Sequence, residues 1–161
     1  MVGGSRPLGD GDVLWRVVAS ARRGFLATAD AYGQPHLVPV VFVVQGRRLF
    51  IPLDTKPKRV NPLDLKRVRN IRANPRVAFL VDHWDEDWER LAYVLLLGHA
   101  SLQTQGEDYS AAVTALQDKY PQYRHLPLGT PPLIAVEVTR AIGWGNLETF
   151  APPAEPAAGS R

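Results

Sequence analysis

The chain contains no cysteine, which excludes disulfide staples, thiolate metal sites and thiol chemistry. Any redox role must therefore rest on a bound cofactor. No apolar run approaches the ~18 residues of a membrane helix, and residues 1–9 carry no apolar signal-peptide core, so the sequence reads as cytoplasmic with no membrane partner. No G-x-G-x-x-G follows the first strand and no G-x-x-x-x-G-K-[ST] occurs, so a bound phosphate would be held by side chains instead of a glycine-rich cradle. Ser-His-Asp order, paired catalytic carboxylates and zinc-ligand spacing are also missing, which argues against hydrolysis. His36, His99 and His125 each stand alone.

What is present is a local excess of charge. Residues 56–76 hold eight cations, Lys56, Lys58, Arg59, Lys66, Arg67, Arg69, Arg72 and Arg76, against one acid, Asp64, a net of +7. The remaining 11 basic and 15 acidic residues net −4, so basicity is confined to one segment and points to an anion site. No Phe, Tyr or Trp lies between Phe50 and Phe79, so the segment lacks base-stacking platforms and nucleic acid is not the expected partner.

At 161 residues and 45% hydrophobic, the chain suits one domain with an ample core. That domain is expected over residues 10–150, between a flexible N-terminus at 1–9 and a disordered Pro/Ala-rich tail at 151–161. Leu14, Val17, Val18 and Ala21 lie on one face of a short helix. Strands are expected at Phe25–Ala29, His36–Val44 and Arg48–Leu53, joined by tight turns as a meander. The middle one is so apolar that it reads as buried on both faces, with Pro39 marking a bulge or an edge. Asn61–Pro62 should start a helix running to Ala73, with Leu65, Val68 and Ile71 inward and Lys66, Arg67 and Asn70 on an exposed face. Further strands are expected at Arg76–Val81, Leu91–Leu102 and Leu133–Trp144, with a helix over Glu107–Tyr120. Six or so strands with short helices and no βαβ alternation favour a mainly β fold, a closed antiparallel barrel.

FLATADAYGQPHLVPVVFVV at Phe25–Val44 and Asn-Ile-Arg-Ala-Asn-Pro-Arg-Val at Asn70–Val77 carry a family resemblance. Taken in order, they resemble the pyridoxamine 5'-phosphate oxidase-like, FMN-binding split-barrel flavoproteins over roughly Leu14–Leu147. Lys56-Pro-Lys-Arg59, the Asp82–Trp88 loop and Ile142-Gly-Trp144 look like the branch that uses the deazaflavin coenzyme F420. The resemblance implies a split antiparallel barrel and a homodimer with two cofactors at the subunit interface. It further implies hydride transfer between reduced F420 and a small organic acceptor, with FMN as the alternative cofactor. A non-enzymatic cofactor carrier or a nucleic-acid-binding domain are the other readings. The C-terminal substrate-phosphate motif of true pyridoxamine phosphate oxidases has no match, which disfavours oxidation of pyridoxamine phosphate.

The candidate site follows from both lines. Lys56, Lys58 and Arg59, with Pro57 stiffening their loop, can place several cations on one phosphate. Val60–Leu65 is an insertion relative to many relatives, so Lys58, Arg59, Lys66 and Arg67 all stand as phosphate contacts, with Asn70 beside them. By the resemblance, the ring lies against the backbone of Leu37–Val41, including Pro39, Val40 and Val41. Thr28 is a candidate donor, and Trp84 and Trp88 are candidates to cover the ring or plug the dimer interface. Asp82, His83, Asp85 and Asp87 are adjacent on one loop with no second histidine, so no metal is expected there. No catalytic residue is assigned, although His36 is a candidate proton donor.

Overall fold

The computed structural model describes residues 5–6, 12–53, 61–125, 128 and 132–153. Its strands are β1 (Ser5–Arg6), β2 (Gly24–Ala29), β3 (Pro35–Val40), β4 (Val43–Gln45), β5 (Arg48–Pro52), β6 (Arg76–His83), β7 (Ala92–Gln103) and β8 (Leu133–Gly145). The helices are α1 (Val13–Ser20), α2 (Lys66–Ala73), α3 (Glu107–Lys119) and α4 (Leu147–Phe150). One antiparallel sheet runs in the order β3-β2-β6-β7-β8-β5-β4. The two ends of that order, β3 and β4, are joined by only Val41 and Phe42. Two residues span roughly 10 Å at most, so the sheet must curl until its edges meet. This is the expected mainly β split barrel, and the place where it fails to close is a seam at Val41–Phe42.

The seam corrects two expectations. His36–Val44 is not one strand buried on both faces, and β2 to β5 are not a meander. They form two hairpins, β2–β3 and β4–β5, standing at opposite ends of the sheet. β3 is an edge strand with alternating exposed and half-buried residues, which is why Pro35 and Pro39 are tolerated in it. The strand buried on both faces is β5. Leu49 and Ile51 enter the barrel core with Leu26, Phe42, Phe79 and Leu96, while Phe50 joins Ala112, Leu116 and Tyr120 under α3 outside the sheet. A continuous apolar run alone does not say which strand the topology encloses.

The seam's backbone polar groups find a side-chain partner. Phe42 is fully buried, and its N–H donates to the Tyr120 hydroxyl at 3.3 Å. That hydroxyl faces the carbonyls of Arg22 at 2.9 Å and of Phe42 at 3.1 Å, and its single proton serves one of them at a time. Burial raises the Tyr120 phenol above its ordinary range, opposed by the Phe42 hydrogen bond and the nearby Arg22 charge.

The expected helix at 61–73 is two pieces. Asn61 caps a 3-10 turn at Pro62–Asp64, extended backbone at Leu65 breaks the run, and α2 follows. Ser5–Arg6, within the stretch expected to be flexible, pairs with Ala141–Ile142 of β8. In the expected tail, the Pro152 carbonyl accepts from Arg16 at 3.1 Å; the rest of the tail, 154–161, lies outside the described residues. No helix among the described residues is long and apolar enough to cross a membrane.

Candidate functional site

A cavity of about 260 Å³ opens at the seam. Pro39, Val40 and Val41 form one wall, Pro52 at the end of β5 another, and Arg23, Arg67 and Tyr123 supply the polar and aromatic lining. Each position has a local cause. Arg23 sits in the short connection from α1 to β2, Arg67 in the first turn of α2, and Tyr123 in the 3-10 turn that Pro121 starts after α3. The edge strand contributes backbone as well as side chains, because an edge presents a row of N–H and C=O groups without ladder partners. Among the described residues, no carboxylate lines the cavity.

Four of the sequence candidates, Pro39, Val40, Val41 and Arg67, therefore meet in one place. Lys56, Lys58 and Arg59 lie outside the described residues, in the segment that follows Leu53. Lys66, Arg67 and Asn70 do not share an exposed face, contrary to expectation. At about 100° per residue the inward arc of α2 takes in buried Val68, Asn70 and Ile71 and half-buried Arg67, leaving Lys66, Arg69 and Arg72 exposed. Asn70 is 1% exposed and donates its side-chain amide to Thr28 Oγ1 at 3.0 Å, with Thr28 3% exposed. These two candidates thus satisfy one another in the interior and pin α2 to β2. Lys66 lies 3.6 Å from Asp30 in the β2–β3 turn. The Asp30 carboxyl is held below its usual range first by the Gln34 N–H, against partial burial that raises it, with help from the Tyr32 N–H and Lys66.

Trp84 and Trp88 stand 64% and 74% exposed in the β6–β7 connection and do not line the cavity. The acids around them are committed within the loop. Asp85 accepts from the Asp87 N–H at 2.9 Å and faces Arg90 at 3.4 Å and His83 at 3.8 Å, while Asp87 accepts from Glu89 N–H. The Asp87 N–H is the main cause of a lowered Asp85 carboxyl, opposed by desolvation and assisted by Arg90 and His83. His36 is half-buried on β3, with its Nδ1 shielded and without a hydrogen-bond partner among the described residues.

Arg23, Pro52 and Tyr123 are the lining residues that the sequence did not single out as site residues. Arg22-Arg23 just before a strand, and Tyr120-Pro-Gln-Tyr123 after a helix, were the available signals. Both matter only once the topology brings them to the seam.

A curled antiparallel sheet whose two edges meet at one seam, with a pocket beside the edge strand, is the split-barrel architecture. The model of the pyridoxamine 5'-phosphate oxidase family matches residues 14–144, and the chain belongs to that family. Among solved structures it is similar to a conserved hypothetical protein of Mycobacterium tuberculosis (21% identity, TM-score 0.68, 96% of this chain and 94% of that one). A FAD-binding protein from Mesorhizobium loti matches at 20% identity and TM-score 0.62, over 89% of this chain and 97% of that one. A heme binding protein from Mycobacterium smegmatis matches at 20% identity and TM-score 0.68, over 91% of this chain but only 61% of that one. At these identities the likeness is one of fold. No curated protein gives a significant match.

Proposed function

We propose that the seam cavity binds a planar redox cofactor with an anionic tail, and that the protein is an oxidoreductase using coenzyme F420, with FMN as the alternative. The observation that carries this reading is the lining itself: Pro39, Val40, Val41, Pro52 and Tyr123 offer apolar surface for a ring, and Arg23 and Arg67 bring positive charge to its rim. Guanidiniums suit phosphate and carboxylate groups through charge-assisted hydrogen bonds. When bound, such a cofactor supplies the hydride chemistry that amino-acid side chains do not. The protein's own part is to hold the ring against the β3 edge, anchor the tail by cations, and exclude water with the proline and valine wall. The cations of residues 56–59 follow Pro52 closely in the chain, which favours their sharing the tail. F420 is preferred over FMN because its phosphodiester and glutamate tail use a segment of net +7 more fully than one phosphate does.

A cavity of about 260 Å³ is below the ~300–1,000 Å³ usual for ligand pockets. We take a second copy of the chain to complete it, and the exposed Leu37, Trp84 and Trp88 offer apolar surface for that contact. Heme, bound by the M. smegmatis relative and named for a Vibrio cholerae heme storage protein of similar fold, is the rival ligand. No histidine among the described residues lines the cavity, which disfavours histidine ligation of heme iron there. The test is to incubate the protein with F420, FMN and heme separately, remove free ligand by gel filtration, and read the absorption spectrum and mass of what remains. F420 retained in preference to the others supports the reading; retention of heme alone overturns it.

A further inference from the structure

The outer face of the sheet is apolar across β3-β2-β6-β7-β8, and neither core accounts for it. By register, Pro39, Phe25, Leu80, Leu95 and Ile142 lie in one cross-strand row. A parallel row two residues along each strand holds Leu37, Ala27, Ala78 and Leu97. On the other side of the first row, Tyr93 and Trp144 are cross-strand partners whose rings stack at 5.5 Å. Side chains two apart on a strand share a face, and the residues between these, such as Leu26, Phe79, Val94 and Leu96, are the buried ones. Every member of the three rows is half-buried or exposed, with Leu37 65% and Trp144 36% exposed. None belongs to either core or packs against one.

With strands ~4.8 Å apart and same-face neighbours ~6.8 Å apart along each, the rows cover about 350 Å². That is as large as the main apolar patch of an ordinary monomer, and patches of that size are commonly functional. It also suits the apolar centre of an interface that buries about 800 Å² on each partner, polar rim included. The rim fits a second copy of this chain. Arg76 and Glu137 flank His99 at one end of the face, and Asp82 stands beside Tyr93 at the other, so both signs of charge border the apolar centre. A two-fold pairing sets a surface against itself and needs both signs on it, whereas an anionic lipid surface selects cations alone. Addition of a strand at the β3 edge is opposed by Pro35 and Pro39, which have no N–H to donate, so the partner lies on the face. The face is also continuous with the seam cavity. Pro39 belongs to both, and the Arg23 guanidinium, which lines the cavity, stands 5.5 Å from the Phe25 ring. We infer that a second copy of this chain docks on this outer face, and that each copy closes the open side of the other's seam cavity. The docking surface stands on the face alone; the closure rests on the cavity being the cofactor's site.

The experiment is sedimentation velocity across micromolar concentrations on the wild type, Leu95→Glu, Leu37→Lys and Ala111→Lys, each checked for folding by circular dichroism. The wild type should run at twice the chain mass. A charge buried without a partner is costly, so Leu95→Glu, at the centre, should weaken association about 100-fold or more, and Leu37→Lys, at the edge strand, about tenfold. Ala111→Lys, on the exposed side of α3, should leave the dimer intact. Should Leu95→Glu fail to fold, Leu37→Lys decides, because its side chain is already 65% exposed. A monomeric wild type, or folded face variants that associate like the wild type, overturns the docking surface. Fluorescence titration of FMN and F420 on the same proteins reads the closure. Monomeric Leu95→Glu should bind cofactor at least about tenfold more weakly than the wild type, and cofactor should tighten the wild-type dimer in return. Equal affinity in the two overturns the closure and leaves the docking surface standing. Failure of both cofactors to bind a wild-type dimer removes the cavity's cofactor role, and the closure with it, while the interface stands.

Discussion

Replacing Tyr120 with Phe keeps the ring and removes one oxygen from the seam. The ring still fills its place among Phe50, Ala112 and Leu116, so no cavity opens. The buried Phe42 N–H loses its acceptor, and the carbonyl of Arg22 or Phe42 loses its donor. An unsatisfied buried backbone group costs roughly 1–3 kcal/mol, and a lost hydrogen bond about 1 kcal/mol. The Arg22 carbonyl regains some of its loss from water because the site is only partly buried there. The sum is about 2–3 kcal/mol. For a chain of this size that lowers Tm by roughly 4–12 °C. Urea denaturation followed by tryptophan fluorescence and circular dichroism gives the free energy, and a thermal scan gives Tm. The slope against urea should be unchanged, since the same surface is exposed on unfolding. A loss below about 0.5 kcal/mol would refute the reasoning and mean that packing of Phe42 against Phe79 alone closes the barrel.

Thr28→Val should destabilise by about 1–3 kcal/mol, because the Asn70 side-chain amide is left buried without its acceptor; chemical denaturation of the single variant checks this. Lys119 makes stability depend on pH. Its amine releases the proton at about 8 when folded and near 10.5 when unfolded, so between those values the unfolded chain binds more protons and stability rises with pH. Lys119→Met should remove that rise and stabilise the ligand-free protein at pH 7 by roughly 1–2 kcal/mol, after allowance for partial solvent access; denaturation curves from pH 7 to pH 10 read it. Light scattering at micromolar concentration should give twice the chain mass, and a strict monomer contradicts a site completed by a second copy.

The strands and α3 were legible because their patterns are local. The alternation in Ala92–Gln103 and the apolar positions of Ala112, Leu116 and Tyr120 mark buried faces without reference to anything distant. The seam was not legible. Phe42 and Tyr120 are 78 residues apart, and no local pattern says that one hydroxyl will serve the other's backbone. Arg23 and Tyr123 were missed for the same reason. The apolar stripe of Val68 and Ile71 was read correctly, with Leu65 packed beside it, but the polar face of α2 was misread: Asn70 turns inward to Thr28, and Arg67 is half-buried. The basic segment was visible as charge, but which cation faces the cavity depends on where the helix starts. Arg67 faces it, and Lys66 turns instead to Asp30.

The central claim is that the seam cavity holds the cofactor through Arg23 and Arg67. Its most direct test is a fluorescence titration of F420 against the wild type and the Arg23→Ala/Arg67→Ala double variant, with circular dichroism to confirm the fold. Hydrogen bonds to charged groups contribute ~1.5–3 kcal/mol each, so the double variant should bind at least about 100-fold more weakly. Unchanged affinity in a correctly folded double variant would contradict the claim and place the cofactor away from the seam.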